Sequence, residues 1–282
     1  MNAIKILRLS NQLFGRIAPH ATAHKMGKLF MIPRNPPLKQ WEHELENGCK
    51  RVTFSGNLQA AVWGSGEKKV LLMHGWESRA THMYNLVEPL LKSGFQVVAI
   101  DAPKHGHSGG DKANLVVFSE AIVAAEVKLG PFVAAVGHSL GGAALTYALE
   151  LGAKVNCCVL VSSPACILDV LHGFASFVGL PKNAQTRFVK YVEKETGVPA
   201  RELNMGRILA EQKIKTLLVH SQDDAEIPVS ALNQMHEAWP QAETCVVNNL
   251  GHRQIIRDDG VAQLVQQFVQ RYHLPDANDM VM

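Results

Sequence analysis

Short apolar runs alternate with segments of helical spacing through most of the chain. Apolar runs of four or five residues predict buried strands, which are 69–73, 96–100, 132–136, 157–161, 216–220 and 244–247. Apolar residues at helical spacing predict helices between or after these runs, over 82–92, 115–129, 142–149, 229–239 and 253–272. Segments 51–54 and 58–63 predict a hairpin before them. Apolar strands that alternate with helices predict an α/β fold with a mostly parallel sheet covered on both faces.

Two regions depart from this alternation. Residues 163–212 carry aromatic and branched residues at helical spacing, interrupted near Gly179 and Gly197, and predict an inserted group of helices. Residues 1–48 have the pattern of helices and connecting segments. We therefore expect three parts, which are a helical N-terminal extension (1–48), an α/β core (49–162 and 213–274) and a helical cap insertion (163–212).

The first 18 residues have an amphipathic pattern. Apolar residues such as Leu7 and Phe14 alternate with basic residues such as Lys5 and Arg16. We expect a helix that packs on the domain, while attachment to a membrane surface and a targeting role stay open as alternatives. The apolar stretches all fall short of the roughly 20 residues that would span a bilayer.

Composition changes this picture little. The 28 basic and 25 acidic residues give a net charge of +3, and the basic residues are scattered, so we expect no nucleic-acid partner. The five cysteines are odd in number and contain no Cys-x-x-Cys pair. Neither a disulfide framework nor a zinc site is indicated, and we expect a reducing, cytoplasmic location.

The most informative motif is a glycine-flanked serine. Ser139 lies in Gly137-His138-Ser139-Leu140-Gly141, between an apolar strand run and an Ala-rich helical segment. A serine on such a sharp strand-to-helix turn exposes its hydroxyl, and the glycines give the turn room. We therefore interpret Ser139 as a nucleophile.

A serine hydroxyl needs a base, usually a histidine that a carboxylate orients. Among 13 histidines, His252 lies just after the last predicted strand, and Asp223 and Asp224 follow an earlier one. The carboxyl ends of parallel strands meet at one edge of a sheet, so these residues and Ser139 are expected to lie together there. The adjacent aspartates are hard to separate at this point.

The oxyanion of an acyl-transfer reaction needs backbone donors. One is the N–H of Leu140, at the start of the helix after the serine. The second is expected from the loop after His74-Gly75, where the next residue is Trp76.

The chain resembles the α/β-hydrolase superfamily. Five segments match in order over residues 50 to 272, which are His74-Gly75-Trp76, the segment 101–108 (Asp-x-Pro-x-His-Gly-x-Ser), Gly137 to Gly142, Asp224-x-x-Ile-Pro, and Gly251-His252. Lys104 stands where relatives often have glycine. The resemblance extends to bacterial α/β-fold serine hydrolases whose substrates are largely unassigned.

The resemblance implies a mostly parallel, eight-stranded sheet with a small helical cap in the lid position. It favours Asp224 over Asp223 as the acid. It implies a carboxylesterase-like serine hydrolase that acts on a small-molecule acyl substrate through an acyl-enzyme intermediate. The residues are Ser139 as nucleophile, His252 as base, Asp224 as acid, and the N–H groups of Trp76 and Leu140 as oxyanion donors.

Other functions stay open. A thioesterase, amidase, lactonase or C–C bond hydrolase would use the same triad, and a membrane-associated lipase or a non-catalytic binding member are less favoured. Trp76, Glu77 and Arg253 are candidates for substrate binding, although salt bridges between loops would equally explain the two charges. We expect no metal and no cofactor. The oligomeric state does not follow from the sequence.

Overall fold

A computed structural model describes residues 3–274 of the chain, which form two compact units. One unit contains residues 34–165 and 205–274, and the other contains residues 3–33 and 166–204. The first two residues of the predicted N-terminal helix lie outside the described residues.

A single eight-stranded sheet forms the centre of the first unit, which we call the sheet unit. Its strands are β1 (Lys50–Phe54), β2 (Leu58–Trp63), β3 (Lys69–Met73), β4 (Gln96–Asp101), β5 (Phe132–His138), β6 (Cys157–Val161), β7 (Lys215–Ser221) and β8 (Glu243–Val247). The spatial order is β1-β2-β4-β3-β5-β6-β7-β8. β2 is antiparallel to both β1 and β4, and the remaining pairs are parallel.

The central strands are apolar along their whole length because helices cover both faces of a parallel sheet. All five residues of β6 are buried, as are four of the five residues of β3. The described helices of the sheet unit are α3 (Gln40–Asn47), α4 (Val87–Lys92), α5 (Leu115–Leu129), α6 (Leu140–Glu150), α9 (Met205–Gln212), α10 (Ser230–Ala238), α11 (Gly251–Gln254) and α12 (Asp259–Tyr272). Two 3-10 segments, Ala80–Leu86 and Ile255–Arg257, precede α4 and α12.

The second unit, which we call the helical unit, combines the N-terminal residues with the insertion. Its helices are α1 (Ala3–Ile17), α2 (Pro19–Phe30), α7 (Ile167–Phe177) and α8 (Lys182–Thr196). Phe30 of α2 contacts Phe174 of α7 and Phe188 of α8, with ring centroids 4.9 and 5.6 Å apart. The N-terminal segment and the insertion therefore share one core.

The contacts group the chain differently from the three expected parts. Residues 34–48 and α9 belong to the sheet unit, and residues 3–33 pack with residues 166–204. The expected fold class is confirmed, with eight strands of which most are parallel. The single helix expected over 253–272 is divided, because the side chain of Asp258 accepts a hydrogen bond from the Val261 N–H and begins α12 anew.

Candidate active site

Ser139 lies on a strained turn between β5 and α6. Its backbone has φ 54° and ψ −126°, a left-handed φ that a non-glycine residue rarely adopts. A Cβ added at Gly141 would lie 2.3 Å from the carbonyl oxygen of His74, and one at Gly137 would lie 2.5 Å from the Cα of Gly142. Both positions therefore require glycine, and the close packing holds the serine turn against β3. The side chain of Ser139 is partly exposed.

Hydrogen bonds join Ser139, His252 and Asp224 in one continuous chain. The Ser139 Oγ lies 2.9 Å from the His252 Nε2, and the His252 Nδ1 lies 2.8 Å from the Asp224 Oδ2. An ionised carboxylate only accepts, so the Nδ1 carries the proton and donates to Asp224. The Nε2 is then an acceptor for the hydroxyl proton of Ser139.

Asp224 is held in place by its own turn after β7. Its Oδ1 accepts hydrogen bonds from the N–H groups of Glu226 and Ile227, both 2.9 Å long. Burial raises the pKa of Asp224, but the hydrogen bond from His252 and those from its turn outweigh that effect and hold the pKa below its ordinary value. Asp223 is exposed and accepts from the Ser221 Oγ at 2.6 Å, so Asp224 is the aspartate that contacts His252.

The loop after β3 lies directly against the serine turn. A Cβ added at Gly75 would lie 2.8 Å from the Cβ of Ser139, so this close approach needs glycine. Trp76 follows, partly buried, with its ring 5.4 Å from that of His105. Leu140 is the first residue of α6, where the first N–H groups of a helix have no carbonyl partner within it.

Two buried histidines tie this loop to the segment after β4. His74 donates from its Nδ1 to the carbonyl of Gly75 at 2.7 Å, and its Nε2 accepts from the Ala102 N–H at 3.0 Å. His105 donates from its Nδ1 to the carbonyl of Pro103 at 3.0 Å and accepts from the Glu77 N–H at 3.1 Å. Burial lowers the pKa of both imidazoles, which keeps them neutral and able to accept.

The segment after β4 makes a left-handed turn at Lys104. Lys104 has φ 64°, a conformation that glycine adopts without steric cost and other residues adopt rarely. The buried carboxylate of Asp101 holds the segment, because it accepts from the N–H groups of Ala80 and His107 and from the guanidinium of Arg51.

The structure also places two histidines at the site that the sequence reasoning did not single out. The Nε2 of His138 donates to the backbone carbonyl of His252 at 2.9 Å, and burial lowers the pKa of His138 to about 3. The Nε2 of His220 donates to the carbonyl of Ile227 at 2.9 Å and lies 3.5 Å from the Asp224 Oδ2. Both histidines stand at or near the end of a strand, which is the signal that could have identified them.

A protein-family model matches the part of the chain that contains Ser139, Asp224 and His252. The model described as the alpha/beta hydrolase family matches residues 70–266, which is well over half of the chain. The chain belongs to the alpha/beta hydrolase family. This match confirms the resemblance that the motifs indicated. It also confirms the expectation that the protein is a hydrolase similar to carboxylesterases.

The hydrolase is similar to proteins named as esterases. A pimeloyl-(acyl-carrier protein) methyl ester esterase of Serratia marcescens is 24% identical over 257 residues, which cover 75% of this chain and 99% of that protein. A protein of the same name from Edwardsiella ictaluri (strain 93-146) is 28% identical over 134 residues, or 42% of this chain, and the match spans only half of that relative. A solved esterase of Pyrococcus furiosus has a TM-score of 0.65 and 22% identity, covering 86% of this chain and 100% of that one, which supports the fold.

Both charged candidates for substrate binding in this hydrolase have protein partners. Glu77 forms a salt bridge with Arg34, whose hydrogen bonds and charge hold the pKa of Glu77 below its ordinary value. The Arg253 Nε donates to the Glu226 Oε1 at 2.8 Å. Binding of substrate through Glu77 or Arg253 would have to replace these pairs.

Two further features were sought in residues 3–274, a metal site and a membrane-spanning helix. No three His, Cys, Asp or Glu side chains in these residues are arranged to hold a metal ion. Within the same residues, every helix is too short or too polar to cross a bilayer.

Proposed function

We propose that this hydrolase cleaves carboxylic esters through an acyl-enzyme intermediate, with Ser139, His252 and Asp224 as its catalytic triad. The observation that carries the proposal is the continuous hydrogen-bonded chain from the Ser139 hydroxyl to the Asp224 carboxylate. The strained, glycine-walled turn under Ser139 supports it, because such strain is typical of a functional position.

Acylation begins with the hydroxyl of Ser139. Its oxygen attacks the ester carbonyl while the Nε2 of His252 takes its proton. Asp224 keeps the imidazole in the required tautomer and stabilises the positive charge that forms on it. The protonated His252 then gives the proton to the leaving alkoxide, which departs as the alcohol and leaves the acyl group on Ser139.

The oxyanion of the tetrahedral intermediate needs two donors. The proposal assigns them to the N–H groups of Trp76 and Leu140, because Gly75 brings the first loop against Ser139 and Leu140 begins α6. Water then attacks the acyl-enzyme, again losing a proton to His252, and the carboxylic acid leaves as the serine proton returns.

The substrate class is an ester of a small-molecule acyl group. The relatives named as methyl ester esterases support an ester with a small alcohol as the first class to test. Action in the cytoplasm is part of the proposal and rests on the cysteine content of the sequence.

A fluorophosphonate probe tests the nucleophile, since it labels an activated serine covalently. We expect labelling of the native protein, loss of labelling in Ser139→Ala, and a fall in p-nitrophenyl acetate hydrolysis on the order of 10⁵-fold.

Ser78→Ala is the matched control. The Ser78 Oγ also lies 2.9 Å from a histidine, the Nδ1 of His82, whose Nε2 is 3.3 Å from a carboxylate oxygen of Glu42. Ser78 lacks the positive φ that strains Ser139, so its variant should keep labelling and turnover. Labelling that survives Ser139→Ala or disappears in Ser78→Ala would overturn the assignment.

A further inference from the structure

Helix α1 has an unusual distribution of side chains. Its buried residues are Asn11 and Gly15, whereas Ile6, Leu9, Leu13, Phe14 and Ile17 are each between 50% and 72% exposed. Solvent-exposed helices usually show the opposite arrangement, with large apolar residues inside. We call these five exposed residues the outer face of α1.

The inner side of α1 is fixed within the helical unit by close polar and backbone contacts. The Asn11 Nδ2 donates to the carbonyl of Val178 at 2.8 Å. A Cβ added at Gly15 would lie 2.6 Å from the Cδ of Pro181, and one at Gly179 would lie 3.1 Å from the Cα of Arg8. The helix cannot rotate to bury its apolar residues without breaking these contacts, so the outer face is a consequence of the packing.

The charged residues of α1 itself all have one sign. Lys5 stands four residues before Leu9, and Arg16 three residues after Leu13, so both cations border the outer face and both are exposed. The first 41 residues contain seven Lys or Arg and no Asp or Glu, whereas the rest of the chain has 21 basic and 25 acidic residues. The N-terminal segment is therefore basic, whereas the remainder has a slight excess of acidic residues.

We propose that the outer face of α1 docks onto an anionic lipid surface. An apolar helix face bordered by cations, on a helix of low net hydrophobicity, is the pattern of helices that lie in the plane of a membrane interface. The apolar side chains enter the boundary between headgroups and acyl chains, and Lys5 and Arg16 contact the anionic headgroups. A protein partner would need a matching apolar and acidic groove, whereas a lipid surface supplies both features without a specific shape.

Co-sedimentation of the full chain with vesicles tests the proposal. We expect binding to vesicles of phosphatidylcholine and phosphatidylglycerol in equal parts, weaker binding to phosphatidylcholine alone, and a decrease as salt is raised. The double variant Leu9→Asn, Leu13→Asn should lower the partition coefficient by about tenfold or more, because it removes apolar side chains from the face. Lys5→Glu with Arg16→Glu should lower it by at least about tenfold on the anionic vesicles and much less on the neutral ones.

Matched controls lie side by side on α5. Val127 is 73% exposed and Lys128 is exposed, so Val127→Asn and Lys128→Glu make the same kinds of change, apolar to amide and cation to carboxylate, away from α1. These variants should bind vesicles as the native chain does. All variants should keep the native unfolding temperature and the native turnover of a water-soluble ester.

Three results would overturn the proposal. The first is equal recovery of the native chain with and without anionic vesicles, and the second is binding that the α1 variants leave unchanged. The third is a dimer in light scattering that Leu9→Asn, Leu13→Asn converts to a monomer in the absence of vesicle binding, which would assign the face to a second copy of the chain. None of these results depends on ester hydrolysis.

Discussion

The sheet unit buries polar side chains, whereas the helical unit begins with a helix that exposes apolar ones. His74, Asp101, His138 and Asp224 are all at most 7% exposed, and each has hydrogen-bond partners. On α1, the outer face carries five large apolar residues in contact with solvent.

The usual rule is that apolar side chains are buried and polar ones are exposed, and the two regions depart from it for different reasons. A buried polar group is costly unless it is hydrogen-bonded, so the partners at the strand ends make its burial possible and fix its position. An exposed apolar face has no such internal compensation, and it indicates a contact made with something outside the chain. Each variant below tests whether burial, rather than residue type, decides the consequence.

The largest contrast is expected between two adjacent aspartates. Asp224→Asn removes the acceptor for the His252 Nδ1 proton and favours the wrong tautomer, so kcat/KM should fall on the order of 10⁴-fold. Asp223→Asn changes an exposed side chain and should stay within about twofold of the native value. Steady-state hydrolysis of p-nitrophenyl acetate compares them, and a crippling effect of Asp223→Asn alone would reverse the assignment of the acid.

The sheet unit and the helical unit each contain a glycine to compare, because a Cβ would clash at Gly141 and would have room at Gly173. A Cβ in Gly141→Ala would meet the carbonyl oxygens of Met73 and His74 at 2.4 and 2.3 Å, so we expect a loss of about 3 kcal/mol in the free energy of unfolding. At Gly173 in α7, a Cβ would meet no described heavy atom within 4 Å beyond the glycine's own neighbours and nearby helix backbone, so Gly173→Ala should gain about 0.5–1 kcal/mol. Urea unfolding measures both, and similar values would mean that the serine turn relaxes easily.

His138 is expected to make stability depend on pH. Burial, followed by the neighbouring His252, lowers its pKa from the ordinary histidine value of 6.5 to about 3. Between these values the unfolded chain binds a proton that the folded chain does not, so the free energy of unfolding falls as the pH falls from 6.5 towards 3.

His138→Gln keeps an amide donor for the carbonyl of His252 and cannot titrate. The slope of unfolding free energy against pH should therefore decrease by up to about 1.4 kcal/mol per pH unit in that window. His172→Gln, at an exposed position in α7, is the control and should keep the native slope. Urea unfolding at a series of pH values decides, and equal slopes for all three proteins would show that His138 titrates normally.

The smallest effect is expected at an exposed ion pair. Arg253 and Glu226 are 74% and 49% exposed, so Arg253→Gln should change the free energy of unfolding by less than about 1 kcal/mol. Because Glu226 already accepts from Arg253, KM should change equally for a neutral ester and for one that bears a carboxylate. A selective rise in KM for the acidic ester would instead assign Arg253 to substrate binding.

Local patterns predict the strands well. The predicted runs 69–73 and 157–161 coincide with β3 and β6, and the predicted helix 115–129 coincides with α5. Each of these elements is decided by its own apolar residues and by caps such as Asn114, which accepts from the Val117 N–H. The 3-10 segment Ala80–Leu86 was not predicted, because i→i+3 and i→i+4 turns share nearly the same apolar spacing.

Some features of the candidate site can be predicted from the sequence, and others require the structure. The motif order suffices to select Ser139, His252 and the pair Asp223 and Asp224, since strand ends meet at one edge of the sheet. The geometry shows which aspartate contacts His252, because that contact depends on the turn held by the N–H groups of Glu226 and Ile227. The link from His138 to the carbonyl of His252 joins residues 114 positions apart and leaves no mark in either local sequence.

The sequence by itself determined the alternation of strands and helices, the family motifs and their order, because these depend on residues close together in the chain. The tertiary structure decided that the N-terminal helices share a core with the insertion, and that the apolar residues of α1 face solvent. Amphipathic spacing shows only that a helix has two faces. Which face is buried depends on what packs beside it, and at Asn11 and Gly15 that is the turn of residues 178–181.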